Sequence, residues 1–318
     1  MRVLVTGAAG FVGGAVARAL RGRGDDVVAL VRDPERAAGL GDRGIEVVQD
    51  DLSRVGDISE QLRTADAVIH AAGSYRVGIR RSERGAMWDA NVGTTTRMLD
   101  AVEAAGARRV VYVSTCNVFG DTRGRVVDEA YQRDPGDGFL SWYDETKHRA
   151  HVIAEQRIAG GSPVVIVLPS QVYGPGDRSM FGDQLRRAHA GRLRYRILDD
   201  AGVGLVHVDD LAAGIIAALD HGAVGRSYIL SGPTTTLGHA VVVAAAVGRR
   251  PPPRFRLPTA ALRAMAPIGP LIGQPNLREV IAASSGVTYW ATADRAEAEL
   301  GFVARDIESG FRDTFNAD

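Results

Sequence analysis

The stretch TGAAGFVG at 6–13 constrains this chain more than any other, because it closes one apolar run, VLVT at 3–6, and opens a helical pattern. Gly7, Gly10 and Gly13 stand between the two at GxxGxxG spacing. A turn of this kind lets backbone approach a pyrophosphate, and the positive end of the following helix favours the ligand's charge. Ala9, Phe11 and Val12 complete the candidate cradle. A lone glycine triplet is compatible with an ordinary loop; strand, triplet and helix in succession point to a dinucleotide-binding turn.

Further apolar runs follow: VVAL at 27–30, IEVV at 45–48, AVIH at 67–70, VVYV at 110–113 and VVIVL at 164–168. Segments 13–23 and 94–105 between them carry apolar residues at helical spacing. Near-continuous Val/Ile runs suit strands buried on both faces, as in a parallel sheet covered by helices. The pattern predicts an α/β fold, a Rossmann-like doubly wound parallel sheet, over residues 1–169. GVGLVHVDDLAAGIIAAL reads as a return to that core within a segment at about 204–232. Residues 170–203 and the proline-punctuated 233–318 are expected to form a smaller, mainly C-terminal substrate-binding lobe.

The chain has 318 residues, 45% of them hydrophobic and 24% charged, which is globular usage and permits a large core. Lysine plus arginine total 38, as do aspartate plus glutamate. That balance gives no overall field for nucleic acid or an anionic membrane. The single cysteine, Cys116, excludes an intramolecular disulfide. With a start that lacks signal-peptide features, it suggests a cytoplasmic protein. Apolar stretches such as Val241 to Val247 are far shorter than the ~20 residues of a membrane helix. No metal site is expected.

An NAD-binding turn usually ends its second strand in an acidic residue that meets the adenosine ribose. Here Val31 takes that place, followed by Arg32 and, a turn later, Arg36. Guanidinium groups suit a 2′-phosphate, so NADP(H) is the expected cofactor, with NAD(H) as the alternative. Asp33-Pro34 reads as a helix start. Asp51, beside Leu52, suits either the adenine amino group or a helix cap. Ala71, Ala72 and Gly73 follow the fourth run with little side chain, leaving room for the cofactor. His70 before them reads as a buried structural residue.

VVYVSTCNVFG sets Ser114 and Thr115 at a strand's carboxyl end, where ligands of open α/β sheets gather. Tyr143 and Lys147 in SWYDETKHRA are four apart, which on a helix brings their Cβ atoms to roughly 5–6 Å. An exposed helix pair is the plain reading of that spacing. Beside the glycine turn and the Ser-Thr pair, a catalytic set is the stronger one. Tyr143 is assigned as general acid/base, Lys147 as ribose ligand and modulator, and Thr115 as the group polarising the substrate oxygen. A nearby ammonium and the nicotinamide charge are expected to favour the Tyr143 phenolate. Ser74, Tyr75, Cys116, Asn117 and Gln171 are expected to line the substrate pocket, with Thr115 and Tyr143. Cys116 is expected as an inert wall residue. Ser114, Pro169, Gln171 and Val172 are added to the cofactor's surroundings.

On these motifs, with HAAG at 70–73, NVGTT at 91–95, PSQVYGPGD at 169–177 and VHVDDLA at 206–212, the chain resembles the extended short-chain dehydrogenase/reductase superfamily. Within it, the likeness is to the NAD-dependent epimerase/dehydratase group and its flavonoid-reductase-like branch. The resemblance implies catalytic roles for Thr115, Tyr143 and Lys147, an ordering role for Asn91, a turn at Asp209, and a homodimer. Cys116 and Asn117 stand where sugar dehydratases of the group carry Asp and Glu. Leu168-Pro169-Ser170-Gln171 departs from the nucleotide-sugar epimerase pattern. The expectation is therefore an NADP(H)-dependent oxidoreductase acting on a small-molecule ketone, aldehyde or alcohol. A nucleotide-sugar epimerase working through a keto intermediate is the first alternative, and a non-catalytic dinucleotide sensor the second.

Overall fold

The computed structural model describes residues 1–52 and 58–316. Its strands are β1 (Arg2–Thr6), β2 (Asp26–Val31), β3 (Glu46–Gln49), β4 (Ala67–His70), β5 (Val110–Val113) and β6 (Val164–Pro169). They continue with β7 (Gln171–Tyr173), β8 (Tyr195–Arg196), β9 (Gly202–His207), β10 (Ser227–Leu230), β11 (Thr234–Thr236) and β12 (Phe255–Arg256). Seven of these form one sheet in the order β10-β6-β5-β4-β1-β2-β3, parallel throughout. The order reverses direction at β1 and β4, whose register sets Val3 beside Ala67 and Thr6 beside His70. That reversal is a topological switch point, where open α/β sheets bind ligands at their carboxyl ends.

Alternate residues of β1 feed two cores. Val3 and Val5 face one layer with Val16 and Leu20 of helix Phe11–Gly22 and Leu211, Ile215 and Leu219 of helix Val208–His221. Leu4 faces the other, with Met98, Leu99 and Val102 of helix Thr94–Ala105 and Ala150 and Ala154 of helix Trp142–Ala159. Both sheet faces are covered, which is why the strands read as unbroken apolar runs.

Within the segment read as a return to this core, β9 stands apart from the main sheet. Strand β9 joins β7 and β11 in a separate three-stranded sheet, although Val206 still packs on the first core. Helix Val208–His221 makes the return, followed by β10, the seventh strand of the main sheet. Beyond β11 the described residues add five α-helices and β12, which pairs in parallel with β8. Among the described residues no helix is long and apolar enough to cross a membrane.

Candidate active site

The turn after β1 fits a pyrophosphate. Gly7 has φ +72°, and a Cβ there would lie 2.8 Å from the Ala71 and Ala72 backbone. A Cβ on Gly13 would drive into the Gly7 carbonyl. The bare turn therefore packs closely on the end of β4 and on its own helix. Helix Phe11–Gly22 starts at Gly10 with no side-chain cap and no acidic residue in its first turn. Its positive end is left to a ligand.

Beneath this turn runs a buried polar chain that sequence reasoning did not assemble. Thr6 Oγ1 accepts the Ala72 amide at 3.2 Å and lies 2.8 Å from His70 Nδ1. His70 Nε2 lies 3.2 Å from Thr95 Oγ1, which donates to the Asn91 carbonyl at 2.7 Å. Burial, reinforced by the Lys147 charge, pulls His70 down to about 3. His70 is thus a neutral structural residue, as its apolar strand suggested.

Asn91 sits in the π-helical turn Asp89–Gly93 that precedes helix Thr94–Ala105. Its Oδ1 accepts the Ser74 amide at 2.7 Å, and its Nδ2 donates to the Ser74 carbonyl and to Thr146 Oγ1 at 2.9 Å. One buried amide thereby ties the segment after β4 to the helix that carries Tyr143. A wide turn of this type commonly marks a functional position, because it re-aims side chains out of helical register.

Helix Trp142–Ala159 is started by Ser141, whose hydroxyl accepts the Asp144 amide at 3.0 Å, and it ends at Gly160. Asp144 and Glu145 in its first turn complement the helix dipole. Buried Asp144 also accepts from Arg133 at 3.2 Å and from the Leu140 amide at 3.0 Å. Tyr143 and Lys147 are each 7% exposed, so they are not a solvated surface pair. Lys147 Nζ donates to the Val113 carbonyl at 3.1 Å and stands 5.2 Å from the Tyr112 ring. Burial pulls this ammonium down to about 8.

Tyr143 differs from expectation in its acidity. Burial raises its phenol well above the ordinary value, and Tyr75 adds to the rise. Desolvation thus works against the tilt toward phenolate expected from the ammonium and the nicotinamide charge. Thr115 itself donates to Asn117 Oδ1 at 3.0 Å and accepts the Asn117 amide. Ser114 Oγ turns the other way, 3.0 Å from His151 Nδ1. Tyr75 meets the Tyr143 ring edge-on at 4.9 Å. Ile79 and Met87 pack against Tyr143, with Trp142 and Val77 alongside.

Cys116 corrects another expectation. It is 2% exposed within the second core, and its thiol donates to the Leu168 carbonyl. It is a core residue rather than part of a pocket wall. Arg32 and Arg36 are exposed beyond β2, and Asp33 accepts the Glu35 amide ahead of the short 3-10 turn that starts at Pro34. Leu52 follows β3 with Asp51, its carbonyl held by Arg97 Nε. Pro169 ends β6, while Gln171 and Val172 lie in β7. Among the described residues no cluster of His, Cys, Asp and Glu is suited to a metal ion.

A glycine turn at a sheet reversal is where open α/β sheets bind dinucleotides, and the family that the chain matches is nicotinamide-dinucleotide dependent. The chain belongs to the NAD dependent epimerase/dehydratase family, whose model matches residues 3–231. That places it in the extended short-chain dehydrogenase/reductase superfamily. It is 29% identical to the 2-alkyl-3-oxoalkanoate reductase of Stenotrophomonas maltophilia, over 98% of each chain. The crystal structure of gox2253 is 29% identical and superposes with a TM-score of 0.84, covering 99% of this chain and 96% of that one. UDP-glucuronic acid 4-epimerase of Bacillus cereus, solved as a point mutant with a fluorinated UDP-sugar and NAD, shares the fold. Its TM-score is 0.81 at 18% identity, covering 99% of this chain and 98% of that one.

Proposed function

We propose that this chain is an NADP(H)-dependent oxidoreductase that interconverts a ketone or aldehyde with its alcohol. The observation that carries the reading is Tyr143, buried on the helix whose Lys147 is tied to the carbonyl of Val113 at the carboxyl end of β5, the strand end that also presents Thr115. A protonated phenol is the form that reduction consumes, because the carbonyl oxygen becomes an alkoxide that must gain a proton. Thr115 and Tyr143 are the paired hydroxyls for that oxygen: Tyr143 would donate to its growing charge, and Thr115 would join by turning its O–H away from Asn117 Oδ1. Lys147, held on the Val113 carbonyl one helical turn from Tyr143, would supply positive charge as the phenol gives up its proton. The chemistry a dinucleotide would supply when bound there is hydride transfer through its nicotinamide. The turn from Gly7 to Gly13 would hold its pyrophosphate, and Arg32 and Arg36 would meet a 2′-phosphate. The likeness to a reductase of 3-oxoalkanoates supports a carbonyl substrate.

The test is NADPH oxidation against a carbonyl panel that starts with 2-alkyl-3-oxoalkanoates and includes UDP- and dTDP-sugars. Stoichiometric NADPH loss with alcohol formation is expected. Replacing Tyr143 with Phe should lower turnover by about 10²-fold or more while sparing NADPH binding. Interconversion of a nucleotide sugar without net cofactor change would overturn the oxidoreductase reading in favour of an epimerase.

A further inference from the structure

A single carboxylate from the C-terminal part of the chain reaches the start of the helix that carries Tyr143. Glu279 lies in helix Leu277–Ala282 and is 9% exposed. Its Oε1 accepts the backbone N–H of Trp142 at 2.6 Å, and its Oε2 accepts Asn276 Nδ2 at 2.6 Å. Trp142 is the first residue of helix Trp142–Ala159, where an amide has no intrahelical acceptor. Ser141 spends its hydroxyl on Asp144, so Glu279 serves the donor that Ser141 leaves. A carboxylate at this end is also favoured by the helix dipole.

Trp142 is held by a second segment as well. Its indole Nε1 donates to the Arg84 carbonyl at 3.0 Å, and the Arg84 guanidinium stands 4.9 Å from the ring. The helix bearing Glu279 meanwhile packs on the segment after β4. A Cβ on Gly78 would lie 2.6 Å from Val280 Cγ2, and Val77 packs both on the Val280 cluster and on the Tyr143 cluster. Both approaches to Tyr143 therefore lead to the same short helix.

We infer that Glu279 is a positioning residue: by fixing the Trp142 amide it sets the seat of the first helical turn and so the aim of the Tyr143 phenol. The inference rests on the proposed role of Tyr143. Trp142 and Tyr143 share one turn, so a shift of the first moves the second. Misplacement of a reacting group by about 1 Å costs roughly 10²-fold in rate.

Three variants separate positioning from bulk stability. Glu279→Gln keeps an acceptor oxygen, Glu279→Ala removes it, and Glu279→Leu removes it while filling the space. Turnover is measured with NADPH and the best-reduced carbonyl of the panel, and amide hydrogen exchange is followed over residues 142–147. The Ala and Leu variants should lose protection at the Trp142 amide. Their kcat should fall by about 10- to 100-fold with NADPH affinity within about twofold of wild type. The Gln variant should stay within about fivefold of wild type in kcat. Unchanged kcat in the Leu variant, or a Gln variant as impaired as Leu, would overturn the inference. Tyr143→Phe run alongside distinguishes the two ideas: if it retains turnover, the role of Tyr143 fails first, whatever the Glu279 variants do.

Discussion

Lys147 Nζ donates to the carbonyl of Val113 at 3.1 Å, which pins the ammonium to the strand that presents Ser114 and Thr115. Because burial holds this group at about 8, it is charged at neutral pH and loses that charge as the medium becomes mildly alkaline. NADPH affinity should therefore decline as pH rises through that value, and Lys147→Met should bind more weakly with no such inflection. Fluorescence titration between about pH 6.5 and 9.5 measures both; a flat wild-type curve would refute the role given to the ammonium.

Arg32 lies exposed just past β2, after Val31, with the neighbouring Asp33 carboxylate engaged by the Glu35 amide. Arg32→Ala should weaken NADPH roughly tenfold or more relative to NADH, consistent with loss of a charge-assisted contact. Paired dissociation constants for the two cofactors are the measurement. A wild-type protein that prefers NADH would overturn the NADP(H) assignment.

His70 makes a prediction about acid stability. Its pKa is about 3 in the folded chain and near the ordinary 6.5 when unfolded. Between these values the unfolded state binds the extra proton, so its contribution is complete above about 6.5 and is lost as pH falls toward 3. The penalty grows by about 1.4 kcal/mol per pH unit well inside that window. His70→Gln should lower stability at pH 7 through the Thr6 and Thr95 bonds yet flatten the slope on the acid side. Urea unfolding at several pH values reads the difference, and parallel slopes for variant and wild type would contradict it.

Gly13→Ala tests the turn itself. Its methyl would strike the Gly7 carbonyl oxygen, a backbone atom with little room to retreat. Overpacking of this kind costs about 1–3 kcal/mol, and the displaced turn should also weaken NADPH binding. Denaturation midpoints and cofactor titration should both shift; an unaltered cofactor constant would exclude this turn as the pyrophosphate site.

Much of the sheet was legible because its strands are buried on both faces. AVIH and VVYV coincide with β4 and β5, and the other four runs differ from their strands by a residue or two. Strand β10 was hidden, since it opens on Ser227 and leaves an apolar run of only three residues. The small sheet was invisible for another reason: Val203 pairs with Thr235, and no local period announces a partner so distant. The same limit governs the site. Tyr143 and Lys147 announced themselves through helical spacing, whereas Thr6 with His70, Ser114 with His151, and Trp142 with Glu279 meet only after folding. Acidity was the least readable property, because it depends on how dry the surroundings of Tyr143 become.

The placement of β1 inside the sheet and β10 at its edge bears on biosynthesis. As the polypeptide leaves the ribosome, strands from Arg2 to Pro169 can join their neighbours, while the flank of β6 waits for Ser227–Leu230. Until then that open border is a template for a stray strand from another nascent chain, so chaperone demand should peak before the last strand emerges.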